Sequence, residues 1–143
     1  MKPKRIILVR HGECDANIDE NKFATIPDYT IELTPKGYEQ ALEAGNKLKR
    51  IVKEETLYFY VSPFWRTRST FEAIVKAFPR EQFHYSEEPR LREQEWGYLR
   101  TEQELQQLKL QRREYGIFYY RFPGGEAGSD VYDRINDLLG SLH

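Results

Sequence analysis

The stretch Arg10-His11-Gly12-Glu13 follows directly on four aliphatic residues, 6–9, and combines side chains suited to phosphoryl transfer. An arginine guanidinium is a planar fork of donors that matches phosphate oxygens. A neutral imidazole can act as a nucleophile and form a covalent intermediate. A glycine lets the backbone approach a ligand closely. These residues therefore predict transfer of a phosphoryl group to His11, with Arg10 on its oxygens.

A second cationic segment follows another apolar run. The residues LYFYV, 57–61, end at Ser62-Pro63, and Arg66 comes shortly after. Because ligands of α/β sheets bind beyond the carboxyl ends of the strands, we expect Arg66 and Arg10-His11 to form one anion pocket. The net charge of −1, from 22 basic and 23 acidic residues, predicts neither a nucleic-acid nor an anionic-membrane partner.

The elements that would position these residues alternate between strand-like and helix-like patterns. Continuous apolar runs predict buried parallel strands, and Thr34-Pro35 predicts a helix start with Thr34 as the N-cap. The predicted order is a strand at 4–9, a loop at 12–33, a helix from 34, a strand at 57–61, helical spacing from 71 to 78, a short strand at 83–86, a polar helix at 102–114, a loop at 122–126 and a last helix capped by Ser129-Asp130. This order predicts one α/β domain over residues 1–143.

Five motifs, in order along the chain, resemble the histidine phosphatase superfamily, also called phosphoglycerate mutase-like. They are Arg10-His11-Gly12-Glu13 with Asn17; Leu33-Thr34-Pro35-Lys36-Gly37; SPFWRTRST with Ser62, Pro63, Arg66, Thr67 and Thr70; LREQEWG with Leu91, Glu93, Trp96 and Gly97; and PGGEA, 123–127. The motifs cover essentially the whole chain. The resemblance implies a three-layer α/β/α fold with a mostly parallel sheet.

The resemblance also implies catalytic roles. His11 would accept the phosphoryl group, and Arg10 and Arg66 would hold its oxygens and offset charge in the transition state. Glu93 would give a proton to the leaving alcohol and then act as the base. On spacing alone, Glu93 could equally be a surface carboxylate, because other acidic residues surround it at 87, 88 and 95.

Two further residues are expected at the phosphate. Asn17 would donate a hydrogen bond to it, and Thr25 lies in the segment 18–30 that we expect to help set the substrate. No metal or other cofactor is implied, because the arginines supply the positive charge. Several tempting side chains are interpreted as bystanders: Cys14 as an unreactive thiol, Arg68 as a surface residue, and His84 as a strand or edge residue.

The family's second essential histidine follows a late buried strand, and this sequence ends before such a strand. His143 has no strand before it and no glycine after it, so we reject it as that histidine. The low apolar content, 39%, and the mean hydropathy of −0.77 fit either a small polar domain or a lost apolar strand. Our hypothesis is a truncated copy of a longer domain, lacking its late central strand. We expect such a fragment to have marginal stability and weak or absent activity.

Two classes of function remain open. The first is an enzyme working through phosphohistidine, with hydrolysis of a small phosphomonoester favoured over a mutase reaction. The second is a phosphate-binding or interaction module without turnover. The sequence contains no membrane-span pattern and no convincing signal peptide, so we expect a cytoplasmic protein. A small phosphorylated substrate is the expected partner, and a homodimer is an open alternative.

Overall fold

The computed structural model describes residues 3–142, which form two compact units. The first, here called the loop–helix unit, comprises Arg10–Asp19 and Asp28–Arg92. The second, here called the C-terminal unit, comprises residues 3–9, Glu20–Pro27 and residues 93–142.

Helices make up most of the regular structure. The α-helices are α1 (Asp15–Ile18), α2 (Lys22–Thr25), α3 (Pro35–Val52), α4 (Trp65–Ile74), α5 (Glu102–Tyr115) and α6 (Gly128–Ser141), with short 3-10 turns at Asp28–Thr30, Val75–Ala77, Arg80–Gln82 and Pro89–Leu91. The strands are β1 (Leu57–Val61) and β2 (Phe83–Glu87). Among residues 3–142, no helix is both long and apolar enough to cross a membrane.

Helix α3 begins where the sequence predicts. The Thr34 side chain accepts a hydrogen bond from the Gly37 N–H, and Pro35 occupies the first turn, where its missing N–H costs nothing. Gly45 allows α3 to pack closely on α4, because a Cβ there would lie about 2.5 Å from the Ile74 carbonyl oxygen.

The sheet of the loop–helix unit is a parallel pair. Strands β1 and β2 pair in the register Leu57↔Phe83. The inward side chains of β1 face a core shared with the helices, whose buried members are Leu48, Val52, Ile74, Phe78 and Phe83. The α/β class and the parallel pairing are therefore confirmed.

The opposite face of β1 is open. Tyr58 and Tyr60 alternate with the inward residues and are 56% and 42% exposed. The prediction that 57–61 is a fully buried strand is therefore correct for one face only. Tyrosine suits a half-exposed face, because it combines an apolar ring with a polar hydroxyl, and the Tyr58 and Tyr60 rings lie 4.8 Å apart.

The predicted strand at 4–9 is not present. Residues 5–10 have no regular structure, and the apolar side chains of this run are exposed, with Leu8 at 91%. The described strands pair only with each other. An apolar run forms a strand only when its backbone groups form hydrogen bonds with an adjacent strand. Neither β1 nor β2 forms such bonds with this run.

The C-terminal unit is built on α5 and α6. Helix α5 begins with a capping box, in which Thr101 and Glu104 satisfy each other's backbone N–H groups, and it ends at Gly116 with φ +121°. The N-cap of helix α6 is Ala127, two residues before the predicted Ser129, and the Asp130 carboxylate accepts from the Ala127 N–H. The loop between them places Phe122, 0% exposed, against the Trp96 ring.

Candidate active site

A threonine hydroxyl joins the histidine loop to α4. The Gly12 N–H donates to Thr70 Oγ1 at 3.1 Å, and that hydroxyl donates to the Arg66 carbonyl at 2.7 Å. Thr70 therefore fixes the Arg-His-Gly loop relative to the turn that carries Arg66. Sequence analysis included Thr70 in a motif but gave it no role. Its position four residues after Arg66, on the same helix face, could have indicated that the two residues interact.

Two glycines allow the histidine loop to lie directly on α3. A Cβ at Gly12 would collide with the Gly37 carbonyl oxygen, and a Cβ at Gly37 would collide with the Glu13 carbonyl oxygen. Both glycines are buried. The sequence-based role of Gly12 is therefore refined, since the close approach shown by the structure is to another part of the backbone.

The orientation of His11 suits a nucleophile. Its Nδ1 lies 2.7 Å from the Gly12 carbonyl oxygen. Because a carbonyl oxygen only accepts, Nδ1 is assigned the proton. In the neutral ring, Nε2 then carries the lone pair and is the atom that could attack phosphorus.

Arg10 and His11 line a cavity in the loop–helix unit. The guanidinium of Arg10 is exposed and makes no hydrogen bond or ion pair with any residue from 3 to 142. The cavity has a volume of about 180 Å³, and its other walls are Gly12, Thr70, Gln40, Ala41 and Ala44. An arginine without a charged partner in a cavity wall provides local positive charge for an anion.

Arg66 is buried and held by a carboxylate. The residue is 4% exposed, and its Nη1 donates to both the carbonyl and the Oδ1 of Asp28, each at 2.8 Å. Within residues 3–142, Nη2 and Nε of Arg66 make no hydrogen bond. Asp28 thus satisfies one end of the guanidinium and leaves the three N–H groups of Nη2 and Nε for a ligand. Sequence reasoning missed Asp28, because its contact spans 38 positions.

Asn17 has one end of its amide fixed. Its Oδ1 accepts from the Cys14 N–H at 3.0 Å and from the Cys14 thiol at 3.2 Å. The Asn17 amide nitrogen has no hydrogen-bond partner among the described residues, and the residue is exposed. Cys14 is 2% exposed and holds Asn17, which agrees with its interpretation as an unreactive thiol.

Glu13 ties the loop to the start of α3. Lys36 Nζ donates to its Oε2 at 3.1 Å, and Thr34 Oγ1 donates to its Oε1 at 2.9 Å. The hydrogen bonds from Lys36 and Thr34 lower the pKa of the Glu13 carboxyl below its ordinary value of 4.5. Glu13 therefore stays ionised and keeps the histidine loop attached to α3.

Glu93 and Thr25 belong to the C-terminal unit, whereas the other predicted site residues belong to the loop–helix unit. The Glu93 side chain is exposed and accepts from the Gln94 N–H at 3.2 Å. The Thr25 hydroxyl donates to the Lys22 carbonyl at 3.3 Å. Their approach to His11 stays a prediction, and His143 lies outside the described residues.

The bystander interpretations agree with the structure. Arg68 forms an ion pair with Glu87, with Nη2 2.9 Å from Oε2, on the surface. His84 is exposed on β2, beside the Tyr58 ring. Among residues 3–142, no group of three or more His, Cys, Asp and Glu side chains could hold a metal ion.

Comparison with known proteins gives the same family as the motifs. The sequence profile described as histidine phosphatase superfamily (branch 1) matches residues 6–143. A phosphoglycerate mutase-like protein of Arabidopsis thaliana is 43% identical over an alignment of 152 positions, which covers 99% of this chain and 54% of the relative. A broad-range acid phosphatase of Saccharomyces cerevisiae is 24% identical, over 99% of this chain and 69% of the relative.

Solved structures of similar fold point to the same family. A mycobacterial glucosyl-3-phosphoglycerate phosphatase in complex with VO3 matches 92% of this chain and 61% of its own, with a TM-score of 0.72 and 25% identity. The chain spans about half the length of the plant relatives it matches.

Proposed function

Because this chain belongs to the histidine phosphatase superfamily, we propose that it transfers phosphoryl groups through a phosphohistidine on Nε2 of His11. One observation carries the proposal: His11 Nδ1 lies 2.7 Å from the Gly12 carbonyl oxygen. That contact directs the lone pair of the neutral ring to Nε2, and His11 and Arg10 line the same cavity.

The proposed first step breaks the ester bond of a small phosphomonoester. Nε2 of His11 attacks phosphorus, the P–O bond to the alcohol breaks, and Glu93 gives its proton to the leaving oxygen. Arg10 and Arg66 neutralise the phosphoryl oxygens, as a transition state with charge on those oxygens requires. The Asn17 amide donates a further hydrogen bond to the same oxygens.

In the second step, the Glu93 carboxylate takes a proton from water as the water oxygen attacks phosphorus. The Nε2–P bond breaks, and inorganic phosphate leaves with the histidine restored. Thr25 is proposed as a further substrate contact. Two findings favour hydrolysis: the yeast relative is named as an acid phosphatase, and the similar mycobacterial structure is a phosphatase.

A mutase reaction is the second candidate. It would replace water with a hydroxyl of the substrate, and the name of the plant relative favours it. The candidate from a different class is a module that binds phosphate without turnover. That candidate uses Arg10, Arg66 and Asn17 but forms no covalent intermediate.

Phosphoenzyme trapping with labelled phosphomonoesters tests the proposal. We expect label on the unmodified chain and on His84→Ala, which removes an exposed histidine outside the site, but no label on His11→Ala. Stable labelling of His11→Ala would overturn the assignment of the nucleophile. Phosphate binding without any label on the unmodified chain would favour the binding module.

A further inference from the structure

The segment that carries Glu93 is hydrogen-bonded to the loop at 122–126. The Glu126 N–H donates to the Glu95 carbonyl at 2.8 Å, and the Glu95 N–H donates to Glu126 Oε1 at 3.0 Å. The Gln94 side chain adds a bond to the Glu126 carbonyl at 3.0 Å. These three bonds hold the two residues that directly follow Glu93.

An arginine of α6 completes this arrangement. Arg134 Nε donates to Glu126 Oε2 at 3.1 Å, and Arg134 Nη2 donates to the Glu93 carbonyl at 3.4 Å. The side chains of Arg134 and Glu126 are only 10% and 15% exposed. Removal of one member would leave the other charge poorly solvated, so breaking the pair is costly.

Close packing supports the same contact. The Trp96 and Phe122 rings are stacked, with centroids 4.3 Å apart and an interplanar angle of 18°. A Cβ at Gly125 would collide with the Glu95 carbonyl oxygen. The loop and the Glu93 segment therefore lie against each other without room for a side chain between them.

The Glu93 side chain itself is weakly held. It is exposed, and its only hydrogen bond within residues 3–142 is the one from the adjacent Gln94 N–H. The position of its carboxylate is therefore set mainly by the backbone that carries it. That backbone is held by Arg134 and by the bonds to Glu126.

We infer that Arg134 and Glu126 are positioning residues for Glu93, which act through its backbone and its two following residues. This inference rests on the proposed role of Glu93 as the proton donor. A general acid must lie within hydrogen-bond reach of the leaving oxygen, so a displaced backbone lowers the rate of bond cleavage. Arg134 and Glu126 act on Glu93 and not on the substrate.

The chain offers a matched control. Arg121 pairs with Asp130 in the same region, but this pair is 59% and 31% exposed, and Arg121 forms no hydrogen bond with residues 93–97. Arg121→Gln and Arg134→Gln therefore make the same chemical change, and only Arg134→Gln touches the Glu93 segment.

The test compares two substrates with different leaving groups. The phenolate of p-nitrophenyl phosphate leaves without much protonation, whereas the alkoxide of glycerol phosphate needs the acid. We expect Arg134→Gln to lower kcat for glycerol phosphate at least tenfold more than for p-nitrophenyl phosphate, in the same direction as Glu93→Gln. Arg121→Gln should leave both values unchanged. Glu126→Gln keeps a carbonyl acceptor for the Glu95 N–H. It should therefore lower kcat for glycerol phosphate less than Glu126→Ala does.

Amide hydrogen exchange gives a readout that needs no turnover. In Arg134→Gln, the amides of Glu95 and Glu126 should exchange at least tenfold faster than in Arg121→Gln. Equal exchange in these two variants, or an equal loss of kcat with both substrates, would overturn the inference. If Glu93→Gln shows no dependence on the leaving group, or the unmodified chain shows no turnover, the proposed role of Glu93 fails. The exchange result then decides whether Arg134 holds the segment.

Discussion

At the scale of single residues, the main feature of the candidate site is which side-chain N–H groups are hydrogen-bonded to other protein groups. Asp28 occupies Nη1 of Arg66, and the Gly12 carbonyl occupies Nδ1 of His11. Each contact fixes the orientation of a side chain, and the one from Asp28 leaves Nη2 and Nε of Arg66 without a hydrogen bond within residues 3–142. Selective occupation of this kind reduces the reorganisation needed when an anion binds, because the donors are already oriented.

The Asp28 contact leads to a stability prediction. Asp28→Ala removes an acceptor from a buried guanidinium, so the free energy of unfolding should fall by about 1–3 kcal/mol. Asp28→Asn keeps a carbonyl oxygen for Nη1 and should lose less. Urea unfolding measures both variants, with Glu43→Ala, which breaks an exposed pair with Lys47, as a control of little effect. A loss no greater for Asp28→Ala than for Glu43→Ala would show that Arg66 does not depend on Asp28.

At the scale of elements, the histidine loop is attached to α3 through Glu13. Its carboxylate bonds to Lys36 and Thr34, while its N–H donates to Gln40 Oε1 at 2.9 Å. All three partners lie at the cap or in the first two turns of α3. The loop and the helix start should therefore loosen together when Glu13 is protonated.

The contacts of the Glu13 carboxylate make the free energy of unfolding depend on pH. The folded-state pKa of Glu13 is lowered from 4.5, so the stabilisation is present above about 4.5 and is lost as the pH falls through the folded-state value. Glu13→Gln should lose less stability than the unmodified chain between pH 6 and pH 3. Urea midpoints across this range measure the difference, and Glu39→Gln, on an exposed α3 side chain, is the control. Identical pH dependence of Glu13→Gln and the unmodified chain would count against the attachment.

Elements with local signals could be predicted from the sequence, and those that depend on distant partners could not. Thr34 caps α3 through residues three positions away, so its signal is contained in a short stretch. The run at 4–9 has the apolar residues of a strand, but pairing is a property of two segments and not of one. Thr70 and Asp28 have contacts 58 and 38 positions away, which no local pattern reveals.

At the scale of the whole molecule, the site prediction divides along the two units. Arg10, His11, Asn17 and Arg66 lie in the loop–helix unit, while Glu93 lies in the C-terminal unit with its own support from Arg134. The sequence motifs predict all five residues, because a motif is recognised from local residue types and does not depend on the unit in which it lies. The support around each residue became visible only in the structure.

The exposed run at 6–9 gives a prediction for the whole chain. Leu8 is 91% exposed, so Leu8→Ser removes little buried area and should change the free energy of unfolding by less than about 0.5 kcal/mol. Leu48 is 7% exposed in the core, and Leu48→Ala should cost about 2–5 kcal/mol. Chemical denaturation of both variants makes the comparison. A similar cost for the two would mean that the run is a packed strand.

The most direct test of the central claim is to locate the phosphoryl group on the imidazole ring. Phosphorus–proton correlation NMR of the phosphorylated chain distinguishes attachment to Nε2 from attachment to Nδ1. The contact of Nδ1 with the Gly12 carbonyl predicts a phosphoryl group on Nε2 of His11. Attachment to Nδ1, or to a residue other than His11, would contradict the account.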